Sequence, residues 1–225
     1  MRSLIIDTST ERGCAAFFED QKKRFACELP HGLNNSKYLL PEIHRALKSL
    51  NWGLQDVDFI AVGVGPGSYT GIRVGVMVAK SMAFALKKPL VSFCSLEGFL
   101  PSQDGPFAAI IDARIGGAYL LKGVALKGCG TFEGKAQIVE LNQLEHLLKD
   151  VKYLVTPQAL LIKKKLNELY PEREWIWEEK DPNLFYLNNL ATSRYVKGEF
   201  GDGRHVELLY LRKTQAELEK EKQKT

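Results

Sequence analysis

Residues 4–18 read Leu-Ile-Ile-Asp-Thr-Ser-Thr-Glu-Arg-Gly-Cys-Ala-Ala-Phe-Phe, and residues 109–123 read Ala-Ile-Ile-Asp-Ala-Arg-Ile-Gly-Gly-Ala-Tyr-Leu-Leu-Lys-Gly. Each stretch is an apolar strand ending in Ile-Ile-Asp, then a polar turn, then a glycine leading into a second strand. The same unit at the start of each half of the chain implies a duplicated β-hairpin, one opening each of two lobes. Around the first copy, Arg24–Leu29 adds a third strand to an antiparallel meander. Ser36–Leu50 then carries Leu39, Leu40, Ile43, Leu47 and Leu50 at helical spacing, with Ser36 as the expected N-cap. A strand over Asp58–Val64, a helix over Gly71–Leu86 and a strand over Leu90–Phe93 complete the order β-β-β-α-β-α-β, which predicts a mixed sheet flanked by helices.

Pro101–Pro106 is polar and turn-forming, and it marks the boundary between lobes at 1–102 and 103–211. The second half shows less pattern. A strand is expected over Val151–Val155 and a helix over Pro157–Tyr170 with proline in its first turn. Another helix is expected over Asp181–Lys197, with Asp181 as N-cap and Pro182 at N1. Residues 212–225 alternate Lys, Glu and Gln and read as a charged tail, either a frayed helix or disordered.

Composition narrows the functional classes. Across 225 residues, 45% hydrophobic and 26% charged is ordinary for a soluble globular protein. A net charge of +4 is too mild to argue nucleic-acid binding by itself. No apolar run approaches the ~20 residues of a membrane helix. Residues 1–8 hold Arg2 and Asp7 with no apolar signal region between them, so a cytoplasmic location is expected. Cys14, Cys27, Cys94 and Cys129 make no CxxC pair and are expected to be small buried hydrophobes. The four histidines have no HxxxH or HExxH spacing, so no metal site is expected from them.

Gly65-Pro66-Gly67-Ser68-Tyr69-Thr70-Gly71-Ile72-Arg73 is a glycine-rich loop between a strand and a helix. Such loops can cradle phosphate, but the P-loop lysine is absent and the spacing is not GxGxxG. Ser68 is in no GxSxG elbow, because Pro66 stands where the first glycine belongs. The loop therefore reads as a tight turn with a capping hydroxyl. Downstream, Gly71, Gly75, Ala79 and Ala83 fall on one helix face. This small-residue stripe has two readings: packing on the helix's own sheet, or close contact with a second subunit. Asp7 and Asp112 read as turn caps, Lys163-Lys164-Lys165 as a solvated helix face, and Trp52, Trp175 and Trp177 as packing residues.

Several strings occur in a familiar order: Ile-Ile-Asp-Thr-Ser-Thr at the start, Ser36-Lys37-Tyr38-Leu39-Leu40-Pro41, Gly65 through Gly75, Ser95-Leu96-Glu97, Asp112-Ala113-Arg114 and Tyr210-Leu211-Arg212. The set resembles the TsaB family, also called YeaZ, densely over residues 4–123 and thinly beyond. The resemblance implies an α/β fold of the ASKHA (actin-like ATPase) type, with two lobes of duplicated mixed sheets flanked by helices and the second lobe reduced. It implies a non-catalytic subunit of the bacterial complex that places a threonylcarbamoyl group on adenosine 37 of tRNAs reading codons that start with A. The implied partners are a catalytic TsaD-like subunit and a TsaE-like ATPase, with tRNA reached through the complex, homodimers when the partner is absent, and no membrane. No catalytic cofactor or metal is implied, although ADP or ATP could sit at the complex interface.

TsaD-type subunits carry an HxxxH pair in the region of Ser36–Leu50. Here His31 is followed by Asn35 at that spacing, with His44 too far along, which fits a pseudo-enzyme. The implied partner face comprises Ser36, Leu39, Leu40, Ile43, Tyr69, Thr70, Arg73, Gly75, Val76 and Ala79. Asp7, Thr8, Ser9, Asp112 and Arg114 would form a polar turn or nucleotide-facing set. In phosphotransferases of this fold the strand-end acids carry a DxG turn; Asp7 and Asp112 lack it, which argues against catalytic duty. The alternative expectation is an active phosphotransferase or metallopeptidase.

Overall fold

The computed structural model describes residues 1–30, 35–114 and 117–211, without the side chains of Asn35 and Ser36. The first hairpin forms as its alternation demands: β1 (Arg2–Asp7) pairs antiparallel with β2 (Cys14–Glu19), which pairs with β3 (Lys22–Glu28). On the other side of β1, β4 (Phe59–Gly63) and then β5 (Leu90–Phe93) add in parallel, giving the order β3-β2-β1-β4-β5. Strands β1 and β4 are almost wholly buried, and Leu4–Ile6 and Phe59–Val62 are unbroken apolar runs because both faces are covered.

The second sheet repeats this plan. β6 (Gly105–Asp112) and β7 (Gly117–Leu126) form the second hairpin, with Asp112 opposite Ala118 as Asp7 is opposite Cys14. β8 (Cys129–Phe132) and β9 (Gln137–Glu140) both pair with β7, while β10 (Tyr153–Thr156) and β11 (Ile176–Glu179) add in parallel beyond β6. The ASKHA-type arrangement of two mixed sheets is thus present. Strands β8, β9 and β11 were not legible in the sequence: their four residues are mostly exposed or half-buried, so they lack the apolar run that marks the equally short β5 and β10.

Two helices, α1 (Asn35–Leu50) and α2 (Tyr69–Leu86), cover one face of the first sheet. The second lobe keeps a single turn, α3 (Leu144–Leu147), and α4 (Leu160–Leu169), which close over Ala108, Ile110, Leu120 and Leu154. The last helix, α5 (Leu184–Val196), leaves that lobe. Its Leu187 and Ala191 pack on Ile5, Phe18, Phe59, Val91 and Phe93, the far face of the first sheet. Beyond it the chain stays on the first lobe, with Leu90 and Gly201 exchanging 2.9 Å backbone bonds and the Leu209 amide donating to Val64 at 2.9 Å. The expected cut into 1–102 and 103–211 therefore does not follow the packing: α5 and the segment after it lie mainly on the first lobe, with Tyr186 and Leu211 packed on the second. The reason is that the far face of the first sheet is as apolar as the near one and needs a cover. The expected tail at 212–225 lies outside the described residues, as do His31 and Arg212.

Helix starts also shift. Ser36 is the second residue of α1 rather than its cap. Ser68 caps α2, accepting from the Gly71 amide at 3.2 Å, so that helix opens at Tyr69. The α5 cap is Asn183, which accepts from the Tyr186 amide at 3.0 Å; Asp181 is drawn away by an ion pair with Arg12. Pro157 lies before α4, not in its first turn. Trp52 packs edge-on against Phe17, and Trp175 and Trp177 pack on the second core, as expected. Three cysteines are buried or half-buried, and burial lifts Cys27 to about 11 and Cys94 to about 12. Cys129, in contrast to expectation, is exposed, because β8 turns that side of the hairpin to solvent.

Candidate functional site

The glycine-rich loop takes its shape from the first hairpin. The Ser68 amide donates to the Ser9 carbonyl at 2.6 Å, and Thr8 Oγ1 donates to the Gly71 carbonyl at 2.7 Å. A Cβ at Gly67 would collide with the Ser9 carbonyl, and one at Gly71 with the Thr8 carbonyl. These glycines therefore let the Thr8–Ser9 turn lie directly on the loop. The Ser95–Gly98 turn props the same loop, with Ser95 Oγ accepting from the Gly65 amide at 3.2 Å.

The two strand-end acids make the same local bond. Asp7 Oδ1 accepts from the Ser9 amide and Asp112 Oδ1 from the Arg114 amide, each at 2.8 Å and two residues on. This Asx turn is the reason for the repeated aspartate. Their other neighbours differ. Asp7 is buried behind Gly63, where a Cβ would strike its carboxylate. Asp112 is held by Lys165 Nζ at 2.7 and 2.9 Å. Lys165 thus leaves the solvated face expected for the three lysines. It stands on α4 where that helix passes beside the end of β6, a relation across fifty residues that sequence spacing does not reveal.

Burial raises the Asp7 pKa above the usual carboxylate value, while the Ser9 amide and the Ser95 hydroxyl pull it down. An acid whose folded pKa is raised favours the proton-bound fold. Its cost to stability is therefore absent at low pH, appears as pH climbs through the interval between the usual value near 3.8 and the raised one, and is fully present at neutral pH. Asp7→Asn keeps a carbonyl oxygen for Ser9 and removes that cost. The variant is expected to melt at or above wild type at pH 7, with the difference shrinking as pH approaches 4. Melting several degrees lower at pH 7 would show that the charge itself stabilises the turn.

Between the hairpin turns lies a cleft of about 320 Å³, lined by Ser9, Thr10, Glu11, Ser68, Tyr69, Thr70, Asp112, Arg114 and Tyr119. It unites Ser9, Asp112 and Arg114, as the polar-turn expectation had them, whereas Asp7 and Thr8 lie buried behind it. At its edge Tyr69 and Tyr210 stack at 4.9 Å, Arg73 Cζ lies 3.9 Å from the Tyr69 ring, and Arg73 Nε donates to the Tyr210 hydroxyl at 2.9 Å. Tyr210 joins the set only because the chain returns to the first lobe. Among the described residues no group of three His, Cys, Asp or Glu side chains could hold a metal, and no helix is long and apolar enough to cross a membrane.

The residues expected on a partner face divide. Leu39, Ile43, Gly75, Val76 and Ala79 are buried in the first lobe's own core, those of α1 toward β2 and β3 and those of α2 toward β1 and β4. The small-residue stripe accordingly serves the sheet. Leu40 (50% exposed), Tyr69, Thr70 and Arg73 face outward, and the Ser36 side chain lies outside the described residues. Sequence reading missed Met77, 65% exposed on the outer face of α2, because an apolar residue in an apolar helix carries no mark of its direction.

Residues 33–157, more than half of the chain, match the family model described as TsaD: tRNA N6-adenosine threonylcarbamoyltransferase. The chain is 27% identical to the tRNA threonylcarbamoyladenosine biosynthesis protein TsaB of Haemophilus influenzae, over 93% of this chain and 92% of that one. It is 39% identical to the Bacillus subtilis protein of the same name over 38% of this chain and 39% of that one. It is 33% identical to a tRNA N6-adenosine threonylcarbamoyltransferase of Persephonella marina, over 40% of this chain and 28% of that one. Its fold is that of YeaZ from Pseudomonas aeruginosa, with a TM-score of 0.80 at 23% identity over 93% of this chain and 99% of that one. With the duplicated hairpins, the glycine-rich loop and these matches together, the chain belongs to the TsaD family and, within it, to the TsaB/YeaZ group.

Proposed function

We propose that this chain serves tRNA threonylcarbamoyladenosine biosynthesis as a non-catalytic subunit that pairs with a TsaD-like catalytic chain. The observation that carries the reading is the condition of the two strand-end acids. One is buried against Gly63, and the other is already neutralised by an ammonium group. Neither carboxylate is offered to the cleft as a bare anion able to hold a metal-nucleotide. The names of the relatives support the pathway, and the matches to transferases support a partner of that kind. In the same reading the pair recruits a TsaE-like ATPase in the cytoplasm, tRNA is reached through the complex, and ADP or ATP sits at the complex interface.

The pairing surface in this proposal is the outward side of α1 and α2. Leu40 and Met77 are large apolar side chains left in water on two helices that pack together, with Tyr69 and Arg73 at one end. Apolar and aromatic groups with arginine are the residue types that carry binding energy at interfaces. Leu40→Arg together with Met77→Arg is expected to weaken co-purification with a TsaD-like chain at least a hundredfold, about 2.7 kcal/mol, with melting unchanged because both residues are already exposed. Undiminished pairing would move the interface elsewhere. ATP hydrolysis or one tightly bound transition metal per isolated chain would instead replace the non-catalytic reading with a phosphotransferase or metallopeptidase.

A further inference from the structure

Trp177-Glu178-Glu179-Lys180-Asp181-Pro182 ends β11 and carries the chain back toward the first lobe. Four consecutive charged residues ordinarily mark a solvated loop. Here each one is engaged at the junction of the lobes. Glu178 accepts from the amide and hydroxyl of Ser102, both at 2.8 Å, in the outward crossing between β5 and β6. Lys180 Nζ donates to Ser102 Oγ at 2.8 Å and to the Leu100 carbonyl at 3.3 Å, and lies 3.2 Å from Glu178. The outward and return crossings are thereby tied together, and the Asn183 amide adds a 2.7 Å bond to the Gly98 carbonyl.

Glu179 and Asp181 reach the other way, to the first hairpin turn. Arg12 Nη2 donates to Glu179 at 2.7 Å, Nη1 to Asp181 at 2.9 Å, and Nε to the Pro157 carbonyl at 2.8 Å. Glu179 also accepts from the Ala159 amide at 2.8 Å, which fixes the β10–α4 turn in the same network. The Arg12 side chain is only 18% exposed, and a guanidinium with three directed contacts holds an orientation that one ion pair would not.

We propose that Glu178–Asp181, with Arg12 and Ser102, form a hinge lock that holds the two lobes at one fixed angle. In a two-lobed fold, rotation of one lobe against the other requires the crossings to bend and the contacts between opposing turns to break. The lock opposes both movements, one with Glu178 and Lys180 and the other with Arg12, Glu179 and Asp181. The cleft is then a rigid feature of the surface rather than a jaw.

The test is amide exchange by NMR on the full chain, comparing wild type with Arg12→Ala/Lys180→Ala and with Arg12→Lys. The Ala159 and Ser102 amides report directly, since each donates to a carboxylate of the lock. In the double variant both are expected to exchange about tenfold faster or more, while Ile5, Ile60 and Ile110 in the two sheets keep wild-type protection. Arg12→Lys retains the charge without the fork, so Ala159 should exchange faster there too, even if the double variant fails to fold. Spin labels on native Cys129 and on Met77→Cys, with Cys27→Ser and Cys94→Ser, should give one narrow inter-lobe distance that broadens in the double variant. Unchanged exchange at Ala159 in Arg12→Lys, or a distance distribution as narrow without the lock as with it, would overturn the proposal.

Discussion

Gly75→Leu and Ala79→Trp are each expected to destabilise the first lobe severely rather than merely weaken a partner contact. A Cβ at Gly75 would already collide with Thr8 Oγ1, and Ala79 is fully buried against the sheet. Thr8 cannot retreat, because its hydroxyl is bonded to the Gly71 carbonyl one turn earlier on the same helix. The added side chain must lift α2 off β1 and β4, and with it the Thr8–Ser9 turn and the glycine-rich loop. Overpacking ordinarily costs about 1–3 kcal/mol, and here no direction of relief exists, so about 3 kcal/mol or more is expected, against a total of about 5–15 for a domain. Thermal melting and near-ultraviolet circular dichroism decide the matter. A folded variant melting within a few degrees of wild type would mean that the stripe has room the structure does not show.

Leu187→Asp is expected to be as severe, although it lies beyond the second sheet in the sequence. Leu187 is fully buried on α5 among Ile5, Phe18, Phe59 and Phe93. The change removes about 2–3 kcal/mol of apolar burial and sets a carboxylate in an apolar site, which must stay protonated or be expelled. Either route strips the cover from the far face of the first sheet, for a loss of about 4 kcal/mol or more. Regional amide exchange would locate the damage: β1 and β4 should lose protection while β10 and α4 retain theirs. Loss confined to the second lobe would contradict the assignment of α5.

The fold was legible where the chain repeats itself or where a period runs long enough. The Ile-Ile-Asp hairpins disclosed both sheets, because an Asx turn needs the same residue in the same place each time. Helices α1 and α2 were legible from sixteen and eighteen residues of apolar spacing. What stayed hidden was direction. The stripe Gly71-Gly75-Ala79-Ala83 looks alike whether it meets a sheet or another molecule, and only the collision at Thr8 settles it. Lys165 and Glu178–Asp181 resemble solvated charge because their partners, Asp112, Ser102 and Arg12, are far away in sequence. Likewise α5 shows a weak apolar face, as does any helix wedged between a sheet and the return of its own chain, so its allegiance could not be read from its pattern.

The return of residues 183–211 to the first lobe also sets an order of assembly. Synthesis delivers β1 to β5 first, yet the far face of that sheet stays uncovered until α5 emerges, and the Val64 carbonyl waits for Leu209. Residues 103–182 contain both the second sheet and the helices that close its near face, so that face is covered sooner. On the ribosome, at about 5–20 residues per second, the lobe that is made first is therefore finished last. For several seconds Ile5, Phe18 and Phe59 are open to whatever binds nascent chains, and a premature stop ahead of α5 leaves that surface permanently bare.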